Sequence, residues 1–170
     1  MTFSEYQSAA LTTAQIPLGH THTYLSLGLC AEIGELAFIY RIPQGRGVLA
    51  TEILKELGDV CWYAAVQLYH CDVMSSDTLP IVVATDPSLD PIEMMFVHAG
   101  AIANHIKKVI RDGIAVDKVM VATHLHRVLI MAASVAMKFN FTLGDVCQMN
   151  IDKLADRKKR GVIAGSGDNR

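Results

Sequence analysis

Charge is scarce in this sequence. Asp, Glu, Lys and Arg make up 19% of it, and 15 basic against 17 acidic side chains leave a formal net charge of −2. That leaves no basic footprint for a nucleic-acid partner, and none is expected. No uninterrupted apolar run approaches the ~18 residues of a spanning helix, so no membrane partner is expected either. The opening MTFSEYQ has no basic stretch followed by an apolar one, which argues against a signal peptide. Cys30, Cys61, Cys71 and Cys147 are scattered and form no CxxC pair. They read as reduced thiols in or near the core of a cytoplasmic protein, not as zinc ligands or disulfides. What is abundant is apolar side chain, 51% of the 170 residues, which is enough for one domain with a substantial core.

Helical periodicity dominates the chain. A short first helix is expected from Ser4 to Ala14 with Ser4 as its N-cap, ended by Pro17-Leu18-Gly19. A second runs from about Thr23 to Arg41 and a third from about Ala50 to His70, separated by a Pro- and Gly-containing loop. Residues 72–90 are a connector, in which IVVAT is a brief extended stretch without a partner strand. A fourth helix starts at Pro91, a favoured first-turn residue, and stops before Gly113. A fifth covers about Asp117 to Asn140 and a sixth about Thr142 to Arg160. The Gly-rich tail, 161–170, is expected to be flexible. The fold class is all-α: an antiparallel bundle of about five to six helices in one domain spanning 1–170.

Two of these helices carry acid where a core belongs. In GLCAEIGELAFIYR, Glu32 and Glu35 lie about 60° apart on a helical wheel, among Leu25, Leu29, Leu36 and Ile39. In EILKELGDVCWYAA, Glu56 and Asp59 repeat the spacing among Ile53, Val60, Tyr63 and Ala64, with Glu52 one turn earlier. If the two apolar faces meet, at least four carboxylates converge. Bare anions at such range must protonate or be offset by a cation. A hard divalent cation, Mg2+ or Mn2+, suits oxygen ligands and completes its shell with water and phosphate. The alternative is two solvated acidic helix edges. A di-iron bundle would want Glu-x-x-His on two helices, and neither pair has the histidine.

At these residues the sequence resembles the MazG-like all-α nucleoside triphosphate pyrophosphohydrolases. ExxE on one helix, a spacer of 20 residues (36–55), then ExxD on the next is similar to that family's metal motif. Where family motifs often carry one more Glu before the first, this chain has Ala31. TFSEYQSAALTTA resembles the lead-in helix of phage and bacterial members. LGDVCWYAA resembles the LGDVLWYLA-type helix, and NIDKLADRKKRGVIAGSGDNR (150–170) the closing segment of small members. The matching stretches cover 1–71 and 139–170.

The resemblance implies a fold, a reaction and a site. The reaction is hydrolysis of a nucleoside triphosphate to the monophosphate and pyrophosphate, with Mg2+ or Mn2+ held by Glu32, Glu35, Glu56 and Asp59. It implies that Asn150, Lys153 and Arg157, one stripe of the sixth helix by their i, i+3, i+7 course, contact the nucleotide; a solvated basic face is the plainer reading of that stripe. Glu35 is the first choice of general base, with Glu56 and Glu52 left open. The substrate is open among purine deoxynucleotides such as dGTP and the sibling substrates dUTP, dCTP and phosphoribosyl-ATP. A nucleotide-binding regulator that does not hydrolyse is the alternative class. A homodimer or homotetramer is implied.

Residues 91–160 read as a decayed copy of the metal-binding half, 1–71. HAGAIANHIKK aligns with EIGELAFIYR, and HLHRVLIMAA with ELGDVCWYAA, so that His98 falls on Glu32, His124 on Glu56 and Arg127 on Asp59. No second metal site is expected there, and the histidines read as satisfied core or surface residues. Trp62 is expected to pack between helices or subunits, and Tyr63 to border the nucleotide.

Overall fold

A computed structural model describes residues 1–41, 50–72 and 89–162. The loop expected at 42–47, the IVVAT stretch and nearly all of the tail lie outside these residues. Among the described residues there are six helices and no strand: α1 (Phe3–Leu11), α2 (Thr21–Arg41), α3 (Ala50–His70), α4 (Pro91–Asp112), α5 (Lys118–Lys138) and α6 (Leu143–Lys159).

Local chemistry sets the ends. α1 starts one residue before the expected Ser4, because Thr2 and Glu5 form a reciprocal capping box that satisfies two helix-end donors. α4 follows its N-cap Asp90, whose carboxylate accepts from the Ile92 and Glu93 amides, and stops at Gly113 in the left-handed region with φ 67°. Asp117 and Thr142, expected inside α5 and α6, are instead their N-caps.

The bundle is antiparallel, as the partner numbers show. Along α2 and α3, Gln67 Nε2 donates to Ser26 Oγ at 2.9 Å, Gly28 faces Tyr63, and Glu32 faces Glu56. One number rises as the other falls. Along α4 and α5, His98 meets His124, and the Asp117 amide donates to His105 Nε2 at 2.8 Å. α3 is the central helix, packing on α1, α2, α5 and α6, and its middle is buried almost continuously. α5 is long and apolar enough to cross a membrane by length and composition, with 56% of that window buried inside the protein. Leu125, Val128, Leu129 and Ala132 place its apolar side in the main core. All four cysteines are free thiols, three of them buried.

The two hairpins pack like on like, α2 against α4 and α3 against α5, as a duplicated hairpin would. His98 and His124, aligned with Glu32 and Glu56, approach to 3.0 Å between their Nδ1 atoms. A neutral pair shares one proton across that gap; a doubly charged pair repels. Burial lowers the His98 pKa from 6.5, helped by His124 and Arg127. Burial also lowers His22 and His70. A base whose folded pKa is depressed contributes stability that is present above its unfolded value and lost as pH falls through the folded one. The thermal midpoint should therefore drop as pH falls below 6.5, and His98→Gln should reduce that slope. Melts of both proteins across this range provide the check.

Candidate metal centre

The acidic pairs owe their meeting to a glycine. A Cβ on Gly28 would overlap the Tyr63 ring, so α2 and α3 approach closely at that point. Gly28 is one turn before Glu32, and Tyr63 one turn after Asp59. The closest part of the hairpin thus adjoins the carboxylates. Tyr63 is half-buried, with the Tyr24 and Trp62 rings at 6.2 and 4.9 Å between centroids. Trp62 does pack between helices: it is buried with Ala10, Leu25 and Val66, and its Nε1 donates to Thr13 Oγ1 at 3.1 Å.

Carboxylate oxygens of Glu32, Glu35 and Glu56 all lie within 4.8 Å of one another. Glu56 is buried at 8% exposure, Glu32 is intermediate and Glu35 exposed, so the cluster runs from the core outward. Burial, and then the charges of Asp59, Glu35 and Glu56, push the Glu32 pKa up from 4.5 to about 8, against the pull of Lys153. An Mg2+ ion with bonds of about 2.1 Å would span oxygens up to ~4.2 Å apart, so small side-chain rotations would let these three residues hold one. The donor set, all hard oxygen, fits Mg2+ or Mn2+.

Asp59 stands beside this trio, oriented by α6. Asn150 Nδ2 donates to Asp59 Oδ1 at 2.8 Å, and Lys153 Nζ to Asp59 Oδ2 at 2.5 Å. The Lys153–Asp59 pair is mostly shielded, with side-chain exposures of 15% and 19%. Asn150 and Arg157 are buried at 2% and 4% exposure, so the stripe of α6 turns inward and is no solvated basic face. Glu52 is exposed, a turn before Glu56.

Two residues of the site escaped the sequence reading. Tyr6, fully buried, donates its hydroxyl to Asn150 Oδ1 at 3.0 Å, and the Gly58 carbonyl oxygen lies 3.3 Å from the same hydroxyl. Burial holds the Tyr6 phenol well above its ordinary pKa, so it remains a donor. At Gly58 an added Cβ would sit 2.9 Å from Asn150 Cβ, and this glycine lets α6 come close enough to reach Asp59. A glycine between two acidic residues was the available signal for the second, and a tyrosine on a buried face, whose hydroxyl needs a partner, for the first.

Two outcomes follow for stability. A carboxyl with a raised folded pKa has no penalty below its unfolded value of 4.5 and a growing one as pH rises through about 8. At about 1.4 kcal/mol per unit, Glu32→Gln should stabilise the metal-free protein by roughly 2–4 kcal/mol in mild alkali, read by denaturant unfolding. Gly58→Ala gains about 1 kcal/mol of helix propensity but overpacks against Asn150 by ~1–3 kcal/mol, so a net loss is expected in the same measurement.

No protein-family model matches the chain. No solved structure matches it either. A curated relative, the Gene 37 protein of Mycobacterium phage L5, is 42% identical over 76 residues, covering 42% of this chain and 67% of the relative. With that identity across two thirds of the phage protein, the chain belongs to the family of the Gene 37 protein.

Proposed function

We propose that this protein is a metal-dependent nucleoside triphosphate pyrophosphohydrolase that acts on the cytoplasmic nucleotide pool. The observation that carries this reading is the convergence of Glu32, Glu35 and Glu56 beside the Asp59–Lys153 pair. Acid for a hard cation and base for phosphate occur together at one place. The resemblance of these motifs to the MazG-like enzymes supports the same reaction.

Glu32, Glu35, Glu56 and Asp59 would hold Mg2+ or Mn2+, which supplies Lewis-acid stabilisation of phosphate oxygens and a more acidic water. The chain's own groups supply the rest. Glu35, the exposed member, takes the proton of the attacking water at its carboxylate; Glu56 is the buried alternative. Lys153 offsets charge on the triphosphate as attack at the α-phosphorus releases pyrophosphate, and Arg157 adds to that field from the next turn of α6. A purine deoxynucleotide such as dGTP fits the proposal, as do dUTP, dCTP and phosphoribosyl-ATP; the base pocket decides among them. Leu27 and Phe38, exposed three turns apart on α2, support self-association as a homodimer or homotetramer. The alternative class is a nucleotide-binding regulator without turnover.

The test is incubation with each NTP and dNTP plus Mg2+ or Mn2+, followed by product separation. Monophosphate and pyrophosphate are expected, with the rate reduced about 10²–10⁴-fold in Glu35→Gln, as for loss of a general base. Diphosphate and phosphate would overturn the point of attack. Binding without turnover would favour the regulator.

A further inference from the structure

Tyr6 has no part in the proposed reaction, although it reaches the acidic site from α1. Its ring belongs to the main core, and Phe3 lies 6.0 Å from it between centroids. Packing accounts for the ring and not for the hydroxyl. That hydroxyl donates to Asn150 Oδ1, and Asn150 Nδ2 donates to Asp59 Oδ1.

The chain of donors has one direction. A carboxylate only accepts, so the Asn150 amide must turn its nitrogen toward Asp59. Its oxygen then faces α1 and needs a donor there, because Asn150 is buried at 2% exposure. Tyr6 is that donor. Without it the amide loses the partner that holds its orientation. A flipped amide would present oxygen to the Asp59 carboxylate. Lys153 holds the other oxygen of Asp59, so between them Asn150 and Lys153 fix the plane of that carboxylate.

We propose that Tyr6 is a positioning residue for the metal site: through Asn150 it fixes the orientation in which Asp59 offers an oxygen to the cation. The inference rests on the proposed function, and it assigns Asn150 to Asp59 in place of the nucleotide. Outer partners of metal-ligating side chains typically change metal affinity by about 10–100-fold.

The probe is Mn2+ alone, titrated into the full chain while free Mn2+ is followed by electron paramagnetic resonance. The proteins are the wild type, Tyr6→Phe, Asn150→Ala and the double variant, each checked for helix content and melting. Tyr6→Phe keeps the ring and removes only the hydroxyl. It should weaken Mn2+ binding by about tenfold with the fold intact. Asn150→Ala should weaken it at least as much, and the double variant no further than Asn150→Ala, since Tyr6 acts through Asn150. Wild-type affinity in Tyr6→Phe would overturn the inference and leave the metal site standing. So would losses that add in the double variant, the result of a merely structural role. Absence of Mn2+ binding in the wild type would overturn the metal site and this inference together. If Tyr6→Phe fails to fold, Asn150→Ala decides: undiminished Mn2+ affinity there overturns the inference.

Discussion

Repulsion among carboxylates is the constraint around which this bundle is arranged. Glu32, Glu35 and Glu56 lie close together where water is scarce, and the charge of Asp59 adds to theirs on Glu32. Nothing in the apolar packing of α2 and α3 relieves it. α6 relieves part of it, since Lys153 and Asn150 take up Asp59. α6 reaches Asp59 because Gly58 has no side chain, and α2 reaches α3 because Gly28 has none. Two glycines and one lysine thus bring the four acids together and hold them there. A native state that keeps an unfavourable charge cluster gives up stability for it, as functional sites commonly do.

Among the described residues, the second hairpin holds no such acidic cluster. His98 and His124 occupy the positions aligned with Glu32 and Glu56 and share a close Nδ1 contact in place of a charge cluster. Arg127, aligned with Asp59, adds positive charge. A pair of imidazoles in place of carboxylates makes no demand for a cation, and α4 and α5 lend their apolar faces to the main core. Both hairpins contribute core, and the first also bears the acidic cluster.

Much of this was legible in the sequence because punctuation and periodicity are local signals. Pro91 and Gly113 bound α4, and Ala50 to His70 bound α3 as read. The i,i+3 spacing put each acidic pair on one helix face. Errors arose where two local signals competed: Ser4 looked like a cap, but Thr2 paired with Glu5 closes two bonds where Ser4 would close one. Long-range partners were not legible. The spacing of Asn150, Lys153 and Arg157 told which residues share a side of α6, but polar residues do not announce burial, and only packing turned that side inward. Tyr6 drew no separate reading within the short first helix, because no local pattern names α6 as the partner of its hydroxyl.

The bond between Tyr6 and Asn150 joins positions 144 apart in a chain of 170. Translation delivers α1, α2 and α3 long before α6. Until α6 is made, the nascent chain therefore carries its four acids without the lysine and asparagine that engage Asp59. The first hairpin therefore meets its own repulsion before α6 can engage Asp59. Asp59 gains these partners only with α6, so a product terminated before α6 lacks the finished centre by construction.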